Sequence, residues 1–376
     1  MERHQHLIHV HRLVVKIGTR MVACGEQPVD HGFLDSLARQ LAELHERDIQ
    51  TVLVVSGAVA LGRRALDLQP GHTEHVSLRQ AAAAVGQPEL MRLYLEALRA
   101  HSLRAAQILL TADDMANRSR YLRIRNTVEA LLEERVVPVI NENDSISVEG
   151  VTFGENDRLA AIVAAKTGAD ALIFLSDEPG LYTADPKRHP EAELIGLVQP
   201  GDEVCRYGAG AGGGESRGGM EKKIVAAQMA VECGIPVVMT DGREENVILR
   251  VLDGELIGTF FVPGEPLARR KMWIATAREP RGRVLVDEGA SRALTSPDGA
   301  SLLPIGVVEV EGEFRAGDIV EVLGPARRVL ARGISNFSAA DLRRIKRLHS
   351  REVPRLLGRP AAPEVIHRDN MVVIAG

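Results

Sequence analysis

The stretch from Val136 to Ser176 reads "VVPVINENDSISVEGVTFGENDRLAAIVAAKTGADALIFLS". It opens on an apolar run, passes through a polar loop into a helical pattern over 156–167, and closes on a second apolar run at 171–176. Runs that are hydrophobic on both faces and separated by a helix are what a parallel sheet covered on both sides requires. The loop also carries the tripeptide Glu-Asn-Asp twice, at Glu142-Asn143-Asp144 and Glu155-Asn156-Asp157. Asn and Asp make turns by hydrogen-bonding their own backbone. Crowded between a buried strand and a helix, they have a second, competing reading as ligands for something cationic or phosphorylated.

Outward from this unit the alternation recurs. Before it come "RLVVKI" (12–17), a helix about 30–47, "TVLVVS" (51–56), helices about 57–66 and 76–100, "AAQILL" (105–110) and a helix about 119–134. After it come a helix about 220–233, "PVVM" (236–239) and a short helix near 244–252. The fold class expected is α/β, a three-layer sandwich with a mainly parallel central sheet. Ligands of such sheets bind beyond the carboxyl ends of the strands, where "KIGT", "SGAVALG", "NEND" and "SDEPGLYTADP" converge. Past "GTFFVPGEP" (258–266) the rhythm gives way to short strands with Gly-rich turns, "GRVLVDEGA", "SLLPIGVVEVEG" and "GDIVEVLG". These suggest a small β-rich, barrel-like module. The expected organisation is a catalytic domain over 1–261, a linker over 262–280 and a module over 281–376.

At 376 residues the chain is long enough for two or three domains of roughly 150 residues. Hydrophobic residues make up 45% and aromatics only 3%, so the core must be built from Val, Leu, Ile and Ala. Cys24, Cys205 and Cys233 form no CxxC pair and are odd in number. That speaks against a disulfide framework or a structural zinc site and for a reduced, cytoplasmic setting. No run approaches the roughly 18 apolar residues that span a bilayer, and "MERHQHLIHVHR" lacks the apolar stretch of a signal peptide. Its four His read as a solvated tail. Residues 281–376 hold 15 Lys and Arg against 12 Asp and Glu, a net of +3, leaving 31 against 39, a net of −8, for the rest.

Only seven of the 46 basic residues are Lys: Lys16, Lys166, Lys187, Lys222, Lys223, Lys271 and Lys346. A chain that makes its ordinary surface charge with Arg keeps Lys where a compact ammonium is needed. Lys16 ends a buried strand and is followed by Gly18, whose missing Cβ lets backbone N–H groups approach an anion. "GAGAGGGESRGGMEKK" (208–223) runs into a helix at Lys222 and Lys223, an arrangement able to cradle phosphates. It is neither a P-loop nor a GxGxxG placed after the first strand. "GLYTADP" (180–186) is a loop of defined turn chemistry rather than a spacer.

Taken in order, "VVKIGT", "VVSGAVALG", "QAAAAVGQPELM", "PVINENDSI", "FGENDRLAA", "GLYTADP" and "GGMEKK" resemble the glutamate 5-kinases of the amino acid kinase superfamily. The tail, with "VDEGA", "SLLPIGV" and "HRDNMV", resembles a PUA domain. The resemblance implies ATP-dependent phosphorylation of the γ-carboxylate of L-glutamate, the first step of proline biosynthesis, with Mg²⁺. The acceptor carboxylate is ionised at neutral pH and needs no general base. Catalysis would therefore consist of alignment and charge neutralisation. By the family's pattern Lys16 and Lys223 bracket the transferring phosphoryl and Asp157 orients them. Asp144 pairs with the substrate's α-ammonium, Asn156 and Ser56 hydrogen-bond the substrate, and Gly57 and Ala58 offer backbone N–H groups to a carboxylate. The nucleotide would border Lys16, Gly18, Ser176, Asp177, Tyr182, Gly218, Gly219, Met220 and Lys223, with no protein ligand to a metal. Asn141 and Asn143 are open between shaping the turn and direct contact.

Two departures stand out: Glu155 where Asp is usual, and Ser216-Arg217 in place of Gly-Thr before "GGM". The family further implies proline as a feedback inhibitor and a homo-oligomer, dimer or tetramer. Acetylglutamate or aspartate kinase activity is the nearest alternative, with RNA binding through the PUA-like tail as a different class of function.

Overall fold

The computed structural model describes residues 2–22, 29–68, 75–147, 156–186, 188–202, 204, 215–264, 280–296 and 300–374. The chain divides into two compact units, Met1–Pro266 and Leu267–Gly376.

The first unit is built on an eight-stranded sheet: β1 (Arg12–Ile17), β2 (Gln50–Val54), β3 (Arg104–Leu110), β4 (Val136–Glu142), β5 (Ala171–Ser176), β6 (Leu197–Val198), β7 (Val237–Asp241) and β8 (Thr259–Phe261), in the order β3-β4-β2-β1-β5-β7-β8-β6. Every pairing from β3 to β7 is parallel, and only β7–β8 is antiparallel. Burial follows position in the sheet. β5, next to the centre, is buried along its whole length, whereas the edge strand β3 leaves Arg104 and Gln107 exposed.

Its helices are α1 (Glu2–Leu7), α2 (Thr19–Val22), α3 (His31–Glu46), α4 (Ala58–Ala65), α5 (Val76–Ala100), α6 (Ala112–Ala116), α7 (Arg118–Glu133), α8 (Asn156–Thr167), α9 (Glu215–Glu232) and α10 (Val247–Leu252). Side chains alternate across a strand. Leu13, Val15 and Ile17 accordingly join the core shared with α3, α5 and α10, while Val14 and Lys16 face the side where α8 crosses β1. α8 is buried nearly all round, which its Ala-rich sequence "NDRLAAIVAAKT" permits. The register sets Lys16 level with Val54 and Phe174, and Val54 level with Ile140, so the loops after β1, β2, β4 and β5 leave at one height.

The second unit holds β9 (Gly282–Val286), β10 (Val307–Gly312), β11 (Ile319–Leu323), β12 (Val329–Ile334) and β13 (Met371–Val373) in the order β10-β9-β11-β12-β13. Together with α11 (Glu288–Thr295), α12 (Ala339–Ile345) and α13 (Val353–Leu357) it encloses its own core, including Val284, Val322, Phe337, Leu342 and Ile366.

The sandwich and the β-rich tail match expectation, and three local features differ. The His-rich N-terminus is a helix rather than a solvated tail, because Leu7 and Val10 are buried and Arg3, only 4% exposed, lies over the Phe260 ring. The helix expected over 119–134 is α7 (Arg118–Glu133), and ahead of it stands a short helix that was not expected, α6, fixed by a capping box between Thr111 and Asp114. The helix expected from 220 begins at Glu215 and takes in Gly218 and Gly219 despite their low helix propensity. Among the described residues no helix is long and apolar enough to cross a membrane.

Candidate active site

At the end of β1, Lys16 Nζ lies 2.6 Å from Asp157 Oδ1, with Lys16 5% and Asp157 1% exposed. Asp157 sits in the first turn of α8, where the helix dipole favours a negative charge. A buried pair of this kind adds little net stability, because desolvation offsets the attraction. Its effect is positional: the ammonium is held at the carboxyl end of the sheet.

Beside the pair runs a chain of buried amides. Asn156 Nδ2 donates to Val55 O at 2.6 Å, to Asn141 Oδ1 at 2.7 Å and toward Ser56 Oγ at 3.0 Å. Asn141, in β4, links α5 to α8: its Oδ1 also accepts from Glu142 N–H, while its Nδ2 donates to Gln87 Oε1 at 2.7 Å. Asn143 serves the turn, its N–H donating to Leu110 O and its carbonyl accepting from Ile146 and Ser147 N–H.

Asp144 lies in the turn after β4, and burial pushes its carboxyl above the ordinary range, with Arg79 at 4.0 Å pulling the other way. After β2, Gly57 takes φ +129°, a backbone favourable only to glycine, and Ala58 starts α4 directly behind it. The first N–H groups of a helix have no intrahelical acceptor and suit a carboxylate.

On the other side of β1, Gly18 N–H donates to Leu175 O. Ser176, buried at the end of β5, accepts from Glu178 N–H and donates to Glu178 O. Asp177 is partly buried, yet Arg20 at 3.0 Å and the charge of Lys223 hold its carboxyl below the ordinary range. Lys223, on α9, therefore lies within electrostatic reach of Asp177. Tyr182 forms a β-bridge with Leu194, and Gly180 is pressed against Thr259, leaving no space for a Cβ. Gly219 and Met220 are half-buried in the first turns of α9, and a Cβ built on Gly219 meets nothing within 4 Å. Gly218 belongs to the same helix. Glu155 and the loop over 208–214 lie outside the described residues, as do the side chains of Ser216 and Arg217.

Sequence reading alone did not single out Gln87, Arg20 or Arg79. "QAAAAVGQPELM" stood out as a motif, but nothing in one sequence assigns Gln87 a partner 54 residues away.

The chain matches the amino acid kinase family over residues 11–241 and the PUA domain over residues 282–357. The glutamate 5-kinase of Geobacter sp. strain M21 is 45% identical to it over 374 residues, covering 99% of this chain and all of that protein. The glutamate 5-kinase of Azoarcus sp. strain BH72 is 46% identical over 365 residues, 96% of this chain and 97% of that protein. That of Bordetella pertussis strain Tohama I is 46% identical over 364 residues, 96% of each.

Proposed function

The chain belongs to the glutamate 5-kinase family of amino acid kinases, and from that premise we propose that it transfers the γ-phosphoryl group of ATP to the γ-carboxylate of L-glutamate. The observation that carries the reading is the meeting of the buried Lys16–Asp157 pair with the amide chain around Asn156 at one end of the sheet. An anionic acceptor attacking a polyanionic donor needs alignment and positive charge. Lys16 supplies one ammonium, oriented by Asp157, and Lys223 a second from α9. The N-terminus of α4 at Gly57 and Ala58 holds a carboxylate of the acceptor, Asn156 and Ser56 hydrogen-bond it, and Asp144 pairs with its α-ammonium. The nucleotide lies along Gly18, Ser176, Asp177, Tyr182 and the start of α9 at Gly218, Gly219 and Met220.

Among the described residues no three His, Cys, Asp or Glu gather to hold a metal ion. The reading takes Mg²⁺ as brought on the phosphates and retaining its waters. Bound so, the ion would neutralise charge on the β- and γ-phosphates. Asp144 also favours free glutamate over acetylglutamate, because an acetamide brings no positive charge to a half-buried carboxylate whose own cation, Arg79, lies 4.0 Å away. By the same reading proline competes for the glutamate site through Asp144, the chain forms a homo-oligomer, and the compartment is the cytoplasm, in keeping with the free, buried thiol of Cys233.

The test is an ATP-dependent assay across glutamate, acetylglutamate and aspartate, with hydroxylamine trapping the acyl phosphate as hydroxamate. Product should appear with glutamate and diminish competitively with proline. Robust product from acetylglutamate and none from glutamate would overturn the assignment.

A further inference from the structure

We propose that Gln87 is a positioning residue for recognition of the substrate's amine: through Asn141 it holds Asn156 where its Oδ1 meets the substrate. The inference rests on glutamate being the acceptor.

The amide chain has a direction that does not depend on how each amide is drawn. Glu142 N–H can only donate, so the atom of Asn141 facing it at 2.9 Å is oxygen, and the nitrogen of Asn141 faces Gln87. Val55 C=O can only accept, so the atom of Asn156 facing it at 2.6 Å is nitrogen, in agreement with Asn141 Oδ1 on its other side. With its nitrogen committed, Asn156 turns its oxygen away from β2 and β4. That Oδ1 is buried and has no hydrogen-bond partner among the described residues. A bare buried acceptor costs free energy that a ligand donor recovers. Ionised glutamate has two carboxylates and one ammonium, and only the ammonium can donate. Asn156 Oδ1 therefore meets the same group as Asp144.

Gln87 holds the far end of the chain. It follows Gly86, whose lack of a Cβ lets α5 touch the backbone of α4, where a Cβ would come within 1.9 Å of Ala58 O. That contact sets the register that turns Gln87, itself largely buried, toward Asn141. Without the Gln87 oxygen, Asn141 keeps a buried donor with no acceptor. Glu142 N–H and Val55 C=O still forbid either amide to reverse, so Asn141 recovers an acceptor by shifting, which moves the Oδ1 that holds Asn156 Nδ2 and displaces the Asn156 oxygen from the ammonium.

The test compares the full-length wild type with Gln87→Leu, Gln87→Met and Gln87→Glu. The readouts are KM for glutamate, KM for ATP, and the inhibition constant of glutarate, which carries both carboxylates and lacks the amine. Thermal unfolding is followed in parallel. Gln87→Leu and Gln87→Met are expected to raise KM for glutamate about tenfold or more, the loss of one hydrogen bond from a charged donor. KM for ATP and glutarate inhibition should stay within about twofold. Gln87→Glu, which still presents an oxygen to Asn141, should restore most of the glutamate affinity. If Gln87→Leu does not fold, the near-isosteric Gln87→Met carries the comparison. Equal losses for glutamate and glutarate, or a Gln87→Glu variant as impaired as Gln87→Met, would overturn the inference while wild-type turnover leaves the acceptor reading standing. A wild type inactive on glutamate would overturn both.

Discussion

Lys16 can occupy its place because an ammonium is compact. Its surroundings are a strand interior and a carboxylate at 2.6 Å, both almost fully buried. A guanidinium keeps the charge but brings a planar fork that has to displace packed atoms. Lys16→Arg is accordingly expected to fold and to lose roughly 10²-fold or more in kcat, about 2.7 kcal/mol of transition-state stabilisation. The hydroxamate assay at saturating glutamate and ATP measures it, and near-normal turnover would show the ammonium to be peripheral. The two Glu-Asn-Asp clusters stood out in the sequence as a candidate site because carboxylates and amides are crowded there between a buried strand and a helix. Their division of labour was not legible. Which of Asn141, Asn143 and Asn156 shapes the backbone depends on hydrogen bonds between β2, β4 and α8, and Gln87 enters only through the packing of α5.

The long helix α5 shows why elements are easier to read than their contacts. Its 25 residues were visible from the apolar pattern, with Pro88 inside tolerated at the loss of one N–H. The contact that places it was not visible, because it depends on absent atoms. A Cβ on Gly62 would lie 1.7 Å from Ala82 O, and one on Gly86 1.9 Å from Ala58 O. Gly86→Ala must push the two helices apart and move the start of α4, where Ala58 offers its N–H. The expected result is a loss of about 1–3 kcal/mol in denaturant unfolding together with a raised KM for glutamate. An unchanged midpoint would refute the close approach.

α8 ties the site to the rest of the layer through its other end. There Lys166 Nζ donates to Met115 O at 2.8 Å and lies 4.4 Å above the Tyr121 ring. Burial lowers the Lys166 ammonium from 10.5 to about 7, with Cys233 opposing the shift. Between those values the unfolded chain binds a proton that the folded chain has released, so stability rises with pH across that window. Below about pH 7 both states carry the charge and the full cost of burying it remains. Compared with Lys166→Met, the wild type should gain stability from pH 7 toward pH 10 in matched urea titrations. A difference that stays flat with pH would mean that the burial cost is compensated where the ammonium sits.

At the scale of the whole molecule, charge and packing divide the chain at about the same place. The first 280 residues carry a net of −8 and the last 96 a net of +3, while the contacts separate Met1–Pro266 from Leu267–Gly376. The change from long helices to short strands made a second, β-rich unit legible, because periodicity survives without knowledge of contacts. The short strands β6 and β8 carry too few residues to show it. Every residue assigned to catalysis or binding lies in the first unit, whose sheet is complete at Phe261. The second unit encloses a separate core around Val284, Val322, Phe337, Leu342 and Ile366 on a five-stranded sheet. About 100 residues with such a core suffice for independent folding. A fragment ending at Pro266 should therefore remain soluble, keep its helical circular dichroism and still form glutamyl hydroxamate, while the fragment from Leu267 onward unfolds cooperatively by itself. Any role of the tail in assembly or proline response would then appear as a changed sedimentation profile or inhibition curve in the shorter fragment, with turnover retained. A soluble, native-like 1–266 fragment without turnover would place an essential contribution to phosphoryl transfer in the second unit.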